Sequence, residues 1–449
     1  SGVVGAPVQV NITVAAAPVG GWKTYCVSNA GTDTSCASGA TALRTFDEAM
    51  NVLGPNVRVL FKRGESWTTT VAPNLGGSGP LLIGAYGAGA KPILIGTGNA
   101  VFNVRSYSAS APASDMRIMD FDIRGPYISG GAQSDSLVST IDWTGGRIDD
   151  VLFLRLDISN SGGKGIEAAG ARQTAGIFIV DCNIRTTAIH NIYIKSARSA
   201  VMGCDAGGDA SSHSLRSSEE DGVVISHNSL HDKALHPLKL HSRKAVISDN
   251  WLHGEGSNRL SMGQEVDSVL PSIDTILIER NRFDPAVNTA SGGDVAINMH
   301  DAQHVAIRNN VFYNTLGVLV GSAGYDTGDT IPQSDYSIYN NSGYDGRTSG
   351  QMDFVRLGAT VSQVNIKNNL YSTPNIVAVE NFGAGISGVT SANNLELKTN
   401  PYTNPVSGNF SLSSASPAID AGASVPVFDD YAGTPRPQGS GWDIGAYEY

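Results

Sequence analysis

One short phrase recurs along this chain and restricts its folding more than any other feature. Alternating apolar residues are followed by Asn or Asp and then by another apolar residue. Examples are RIMDFDI, LFLRLDI, IFIVDCNI, VVISHNSL, AVISDNWL, ILIERNRF, VAIRNNVF and VNIKNNLY. The aligned polar positions are Asp122, Asp157, Asn183, Asp205, Asn228, Asn250, Asn281, Asn310, Asn341 and Asn369, spaced by 35, 26, 22, 23, 22, 31, 29, 31 and 28 residues. Three residues before them stand Met119, Leu154, Val180, Met202, Ile225, Ile247, Ile278, Ile307, Ile338 and Ile366. A period in the twenties, with short strands and no long helical pattern, predicts a β-solenoid. Each coil leaves its inner face uncovered until the next coil stacks on it, at about 4.8 Å per step. Stacked Asn side chains would then form an internal amide ladder, which explains Asn inside apolar phrases, where a lone one would be costly.

The expected fold is therefore all-β, a single-stranded right-handed parallel β-helix. The 52 glycines and 19 prolines among 449 residues supply the turns. The 41% hydrophobic share is enough for a long core. TALRTFDEAMNVL, residues 41–53, carries Leu43, Phe46, Ala49, Met50 and Leu53 at helical spacing. It is expected to be an N-terminal capping helix, because the open end of a solenoid must be covered. We divide the chain into the end of a preceding module or linker (1–20), an N-terminal cap with this helix (21–56), the β-helix (57–415) and a C-terminal capping segment (416–449). Residues 8–17 read as the last strand of that preceding module.

Of the four cysteines, Cys26 and Cys36 flank a Gly/Thr/Ser loop and are expected to form a disulfide. Cys182 and Cys204 fall at nearly equivalent places in adjacent coils. In-register parallel neighbours point the same way, so two buried, stacked thiols are expected there. The disulfide favours an oxidising setting, and the chain reads as secreted, periplasmic or cell-surface. The net charge of −11 excludes a whole-surface attraction to nucleic acid. The longest apolar runs are too short for a membrane-spanning helix. Nothing in the pattern speaks to oligomeric state.

The segments YCVSNAGTD, TFDEAM and VRVLFKRGESW, with SPAIDAG and DDYAGTPRPQGSGWDIGAYEY at the other end, resemble those of secreted bacterial right-handed β-helix proteins, many of which act on polysaccharides. In the middle, IYIKSARSAV and HSLRSSEEDGVVISHN are similar to paired coils of the alginate lyase and chondroitinase B family. There a Lys on one coil and an Arg on a later one serve as base and acid. The resemblance implies these roles for Lys195 and Arg216. HPLKLHSRKAVISDNWLHG resembles the Arg-His coil of the same family. His241 matches the His, while Leu240 stands in the Arg position with Lys239 before it. The family's calcium-binding acids lie close to its catalytic Lys. Calcium is the cofactor the resemblance brings in, and here the corresponding stretch, Thr187-Ala188-Ile189-His190-Asn191, contains no carboxylate.

The residues alone point to the same region. Counting back from the repeat Asn/Asp, Lys195 lies 10 before, Arg216 12, Lys239 11, Asn298 12 and Arg356 13, with His241 and His300 at 9 and 10. These residues should lie roughly one above another on an outer sheet face, as a cationic stripe with imidazoles. Seven of the nine histidines fall between His190 and His253. β-Elimination from a uronate needs a neutralised carboxylate, a base for the C5 proton and an acid for O4, and cations with imidazoles can meet these needs. The catalytic candidates are Lys195, Arg216, Lys239 and His241, with either lysine as the base. His190, Arg243, Asn298, His300, Arg356 and Trp251 are the candidate substrate-binding residues. Tyr193 shares a face with Lys195 and is read as strand packing. His213, His227 and His304 are read as loop or ladder positions. The expected activity is a polysaccharide lyase acting on an acidic polysaccharide. One alternative is a β-helix glycoside hydrolase using Glu265, Asp267 and Asp294 as paired carboxylates. Another is a non-catalytic carbohydrate-binding or adhesive surface protein.

Overall fold

The structure is a computed structural model. It describes residues 21–449 except 70–72, 98–99, 127–135, 143–144, 171–173, 209–211, 233–234, 257, 264–272, 286–294, 301, 321–332, 348–353, 359–360, 375–379 and 383–385. The residue 8–17 strand lies outside the described residues, as do Glu265, Asp267 and Asp294. The chain divides into two compact units, residues 9–224 and 225–449.

Each unit is a stretch of right-handed parallel β-helix with three sheets. In the unit 9–224, the first sheet pairs Ala113–Met119, Ile148–Leu154, Ala175–Val180 and Ser199–Met202 in turn. The second pairs Asp122–Arg124, Asp157–Ser159, Asn183–Arg185 and Asp205–Gly207. The third pairs Phe102–Ser106, Val138–Asp142, Ile166–Gly170, Ile192–Ile194 and His213–Asp221. In the unit 225–449 the same order repeats. Its first sheet stacks Ile247, Ile278, Ile307, Ile338 and Ile366 in one register, all fully buried. Each such isoleucine contributes about 1.5–3 kcal/mol by leaving water.

The corner between the first and second sheets explains the recurring phrase. Asp120, Arg155, Asp181, His227, Asp249, Arg280, Asn309, Asn340, Asn368 and Asn393 all have φ between 50° and 66°, the left-handed region. Asn and Asp tolerate it best, because their short polar side chains bond locally. The residue after each of these points into the core. In the unit 225–449 that residue is Asn228, Asn250, Asn281, Asn310, Asn341, Asn369 or Asn394. Their side chains form the expected ladder, each Nδ2 donating to the next Oδ1 at 2.9–3.0 Å. Each rung is also satisfied by backbone. Asn281 Nδ2 donates to Ile247 O at 2.8 Å, and Asn281 Oδ1 accepts from Asn250 N at 3.0 Å.

In the unit 9–224 the ladder positions are Phe121, Leu156, Cys182 and Cys204, all buried. The expected rungs Asp122, Asp157, Asn183 and Asp205 sit one residue further on and face outward on the second sheet. Lys91 pairs with Asp157, Arg124 with Asp122 and Arg185 with Asp205. Because strand side chains alternate, this one-residue slip moves the whole set from core to surface. It likewise replaces Met119, Leu154, Val180 and Met202 by Ile118, Phe153, Ile179 and Val201 as the buried column. Cys182 and Cys204 are the buried, stacked free thiols expected, with Cys182 N donating to Cys204 Sγ at 3.4 Å. Cys26 and Cys36 form the expected disulfide.

The capping helix exists but spans only Phe46–Asn51, with Thr45 and Glu48 forming a reciprocal capping box. Thr41–Leu43 is instead a strand beside Lys23–Val27. The capping box fixes the helix start at Thr45, so the residues before it are left for sheet pairing. Phe46 inserts among Phe61 and Phe102, and these continue into Trp67 and Phe121. The tail from Ser416 runs along the flank of its own unit. Ala418, Ile444 and Ala446 pack on Val311 and Leu370, and Arg436 pairs with Glu448 inside the tail.

Candidate active site

The third sheet of the unit 9–224 carries a compact array of polar side chains on its outer face. Glu167, Tyr193 and Arg216 stand opposite one another on three consecutive strands. Their neighbours Ile166, Ile192 and Leu215 point inward and are fully buried, which fixes the alternation. Three residues before each member come Lys164, His190 and His213, at the sheet's leading edge. The result is two columns of three residues on three coils.

Tyr193 is the centre of this array. Lys164 Nζ lies 5.3 Å from its ring centre and the Arg216 guanidinium carbon 5.7 Å. Both are cation–π distances. The His190 ring stacks on Tyr193 at 5.7 Å, and the His213 ring stacks on His190 at 5.3 Å with 7° between planes. The backbone N–H of His213 donates to His190 Nδ1 at 3.4 Å. Glu167 anchors one end. Its Oε1 accepts from Lys164 Nζ at 2.7 Å and its Oε2 from Ser136 Oγ at 2.5 Å, all in partly or fully buried surroundings.

Lys195 lies two residues beyond Tyr193, so it projects from the same face. Directly across from Arg216 stands Tyr193, not the expected Lys195. Loop lengths between coils make a count back from the repeat uncertain by one or two residues. A slip of two preserves the face and exchanges these neighbours. Arg216 still reaches toward the Lys195 row. Its Nε donates to Ser218 Oγ at 3.3 Å, and Ser218 follows Ser217, which pairs with Ile194.

The unit 225–449 holds the remaining candidates. Lys239, Asn298 and Arg356 share one register, with Ser261 between the first two, and Lys239 Nζ donates to Ser261 Oγ at 3.2 Å. His241 and His300 lie two residues further along the same outer face, with Gly263 between them. A Cβ on Gly263 would sit 3.4 Å from the His300 ring. Arg243 ends the Lys239 strand. At the start of this strand, burial, together with the charges of Lys239 and Arg259, pushes His236 down to about 4. The expected grouping of Lys239, His241, Asn298, His300 and Arg356 is therefore present. Trp251 departs from it. It lies on the second sheet, because its strand follows the corner at Asp249.

Sequence reasoning missed Lys164 and Glu167 and set Tyr193 and His213 aside. A signal was available: Lys164–Glu167, His190–Tyr193 and His213–Arg216 repeat the same three-residue separation. His227 and His304 occupy left-handed positions, which accounts for them without chemistry. A calcium ion takes six to eight oxygens. Glu167 is the carboxylate of the array, and its oxygens are engaged by Lys164 and Ser136. Among the described residues no cluster of three or more His, Cys, Asp or Glu could hold a metal. The array does not fit calcium.

No protein-family model matches the sequence, and no curated protein matches it either. Solved structures do share the fold. A GH136 lacto-N-biosidase from Eubacterium ramulus aligns over 83% of this chain and 67% of its own, at 14% identity and a TM-score of 0.52. The pre-mature gene product 12 of bacteriophage phi29 aligns over 74% of this chain and 53% of its own, at 12% identity and a TM-score of 0.50. The pectate lyase Pel9A aligns over 95% of this chain and 96% of its own, at 15% identity and a TM-score of 0.48. At these identities the likeness is one of fold.

Proposed function

We propose that this chain is a polysaccharide lyase that cleaves a uronate-containing polysaccharide by β-elimination on the third sheet of residues 9–224. The observation that carries the reading is Tyr193 set between Lys164 and Arg216, with Lys195 next on the same outer face. In this reading the Arg216 guanidinium pairs with the substrate carboxylate and makes the C5 proton acidic. The Lys195 amine takes that proton. The C5–H electron pair becomes the C4–C5 double bond as the C4–O4 bond breaks. The Tyr193 hydroxyl gives its proton to O4, and the Lys195 ammonium restores it. Glu167 and Ser136 hold Lys164 against the ring. An acidic polysaccharide is thus the partner, and an extracytoplasmic location accords with the Cys26–Cys36 disulfide.

The test is incubation with polygalacturonate, alginate and glycosaminoglycans, following the ultraviolet absorbance of unsaturated uronate ends. Absorbance rising in step with chain cleavage is expected. Reducing ends without new absorbance would mean hydrolysis, and binding without cleavage would mean a recognition surface. Either result replaces the lyase reading.

A further inference from the structure

A second array of side chains lies on the outer face of the second sheet in residues 225–449. Ser229, Trp251 and Arg282 share one register, and His231 pairs with His253 in the next. Asp284 follows Phe283, which pairs with Leu252, so it lies beside His253. Trp251 is 43% exposed, whereas Val311, two strands further in the same register, is 2% exposed beneath the tail. The tail thus covers part of this face with apolar residues and leaves the indole open.

The indole is held in a fixed pose. Its Nε1 donates to Asp284 Oδ2 at 2.8 Å, while Arg282 Nε donates to Asp284 Oδ1 at 2.9 Å. Arg282 lies 5.6 Å from the indole centre. The His253 ring stacks on the indole at 3.8 Å, and His231 stacks on His253 at 4.7 Å. Asp284 itself is buried. A buried carboxylate and an imidazole therefore hold a large aromatic surface that remains in water. An aromatic surface fixed in advance loses little freedom when a ligand lands on it. The surrounding groups are hydrogen-bonding side chains on a flat sheet, not an apolar rim. That chemistry suits a sugar ring, whose C–H face stacks on an aromatic while its hydroxyls reach polar neighbours.

We propose that Trp251, framed by His253, Arg282 and Asp284, is a binding platform for a pyranose ring of a polysaccharide chain. The proposal does not rest on the lyase reading. It is tested by affinity electrophoresis in gels containing dextran, hydroxyethylcellulose or alginate, with Trp251→Ala and Trp251→Phe beside the native chain. Circular dichroism and thermal melts check that both variants fold. At least one polysaccharide should retard the native chain and the Phe variant, while the Ala variant binds about tenfold more weakly, or ~1.4 kcal/mol. Equal retardation of the Ala variant overturns the proposal, as does lack of retardation of the native chain in all three gels. So does self-association that Trp251→Ala abolishes without any change in retardation. Retardation by dextran through Trp251 in a chain that forms no unsaturated ends supports the platform and removes the lyase reading.

Discussion

Tyr193 and Arg216 face each other across neighbouring strands, with the guanidinium carbon 5.7 Å from the ring centre. In the proposed mechanism the pairing couples a proton donor to a carboxylate-binding cation on a rigid sheet. Tyr193→Phe should lower lyase turnover by about 10²–10⁴-fold, the usual range for a lost general acid. Arg216→Lys should fall comparably, because an ammonium cannot reproduce the planar fork. Initial rates of unsaturated-end formation, with melts to confirm folding, check both. Full activity in either variant removes that residue from the mechanism.

The amide ladder makes a contrasting prediction about stability. Asn281→Ala removes a rung that both donates and accepts inside the core, leaving Asn250 and Asn310 short of partners. It should destabilise the chain by about 3 kcal/mol. Asn183→Ala, at an exposed position on the second sheet, should change stability by less than about 0.5 kcal/mol. Urea unfolding midpoints distinguish the two. Equal costs would restore Asn183 to the core.

His236 links stability to pH. Burial and the charges of Lys239 and Arg259 hold it at about 4, below its ordinary 6.5. The unfolded chain therefore binds this proton more readily than the folded one. Its contribution is fully present above pH 6.5 and is lost as pH falls through 4, by on the order of 3 kcal/mol. Urea unfolding at several values from pH 7.5 to 4, comparing the native chain with His236→Asn, isolates the effect. The gap between the two should change across that window. A constant gap would mean that His236 titrates alike folded and unfolded.

Cys182 and Cys204 are buried, and burial raises the Cys204 thiol well above its ordinary range. Thiolates, not thiols, attack aromatic disulfide reagents. The native chain should release no thionitrobenzoate over minutes, and the chain unfolded in guanidinium should release two equivalents. Rapid release from the native chain would place at least one thiol in solvent.

The fold was legible because its repeat is written in backbone chemistry. Asn309, Asn340 and Asn368 take the left-handed corner, and the next Asn enters the ladder, so the NN pairs announce both positions. In the first four repeats the corner residue is Asp120, Arg155, Asp181 or Gly203, and the core takes Phe121, Leu156, Cys182 or Cys204. There the outward Asp or Asn that follows mimics a rung, and alignment by letter alone slips by one. The site was half legible for a related reason. Counting placed Lys239, Asn298 and Arg356 within two residues of one another, and the strand register brings them into line. Tyr193 and Lys195 share a face too, so counting could not choose between them. Glu167 and Lys164 carried only the three-residue separation they share with His190–Tyr193 and His213–Arg216, and pairing with Ser136 and Tyr193 gave it meaning.

The tail ties together coils made long before it. Asn309 donates to Asp429 O and accepts from Arg436, 120 and 127 residues later, and Asn340 donates to Asp443 O, 103 residues later. Asn368 donates to Ala423 O and Asn393 to Ala421 O. During synthesis these corner amides have no such partners until residues 421–443 have been made. The tail therefore works as a clasp. A variant truncated before Ala421 would stack its coils yet leave a row of corner asparagines unfastened, open to any protease that meets it.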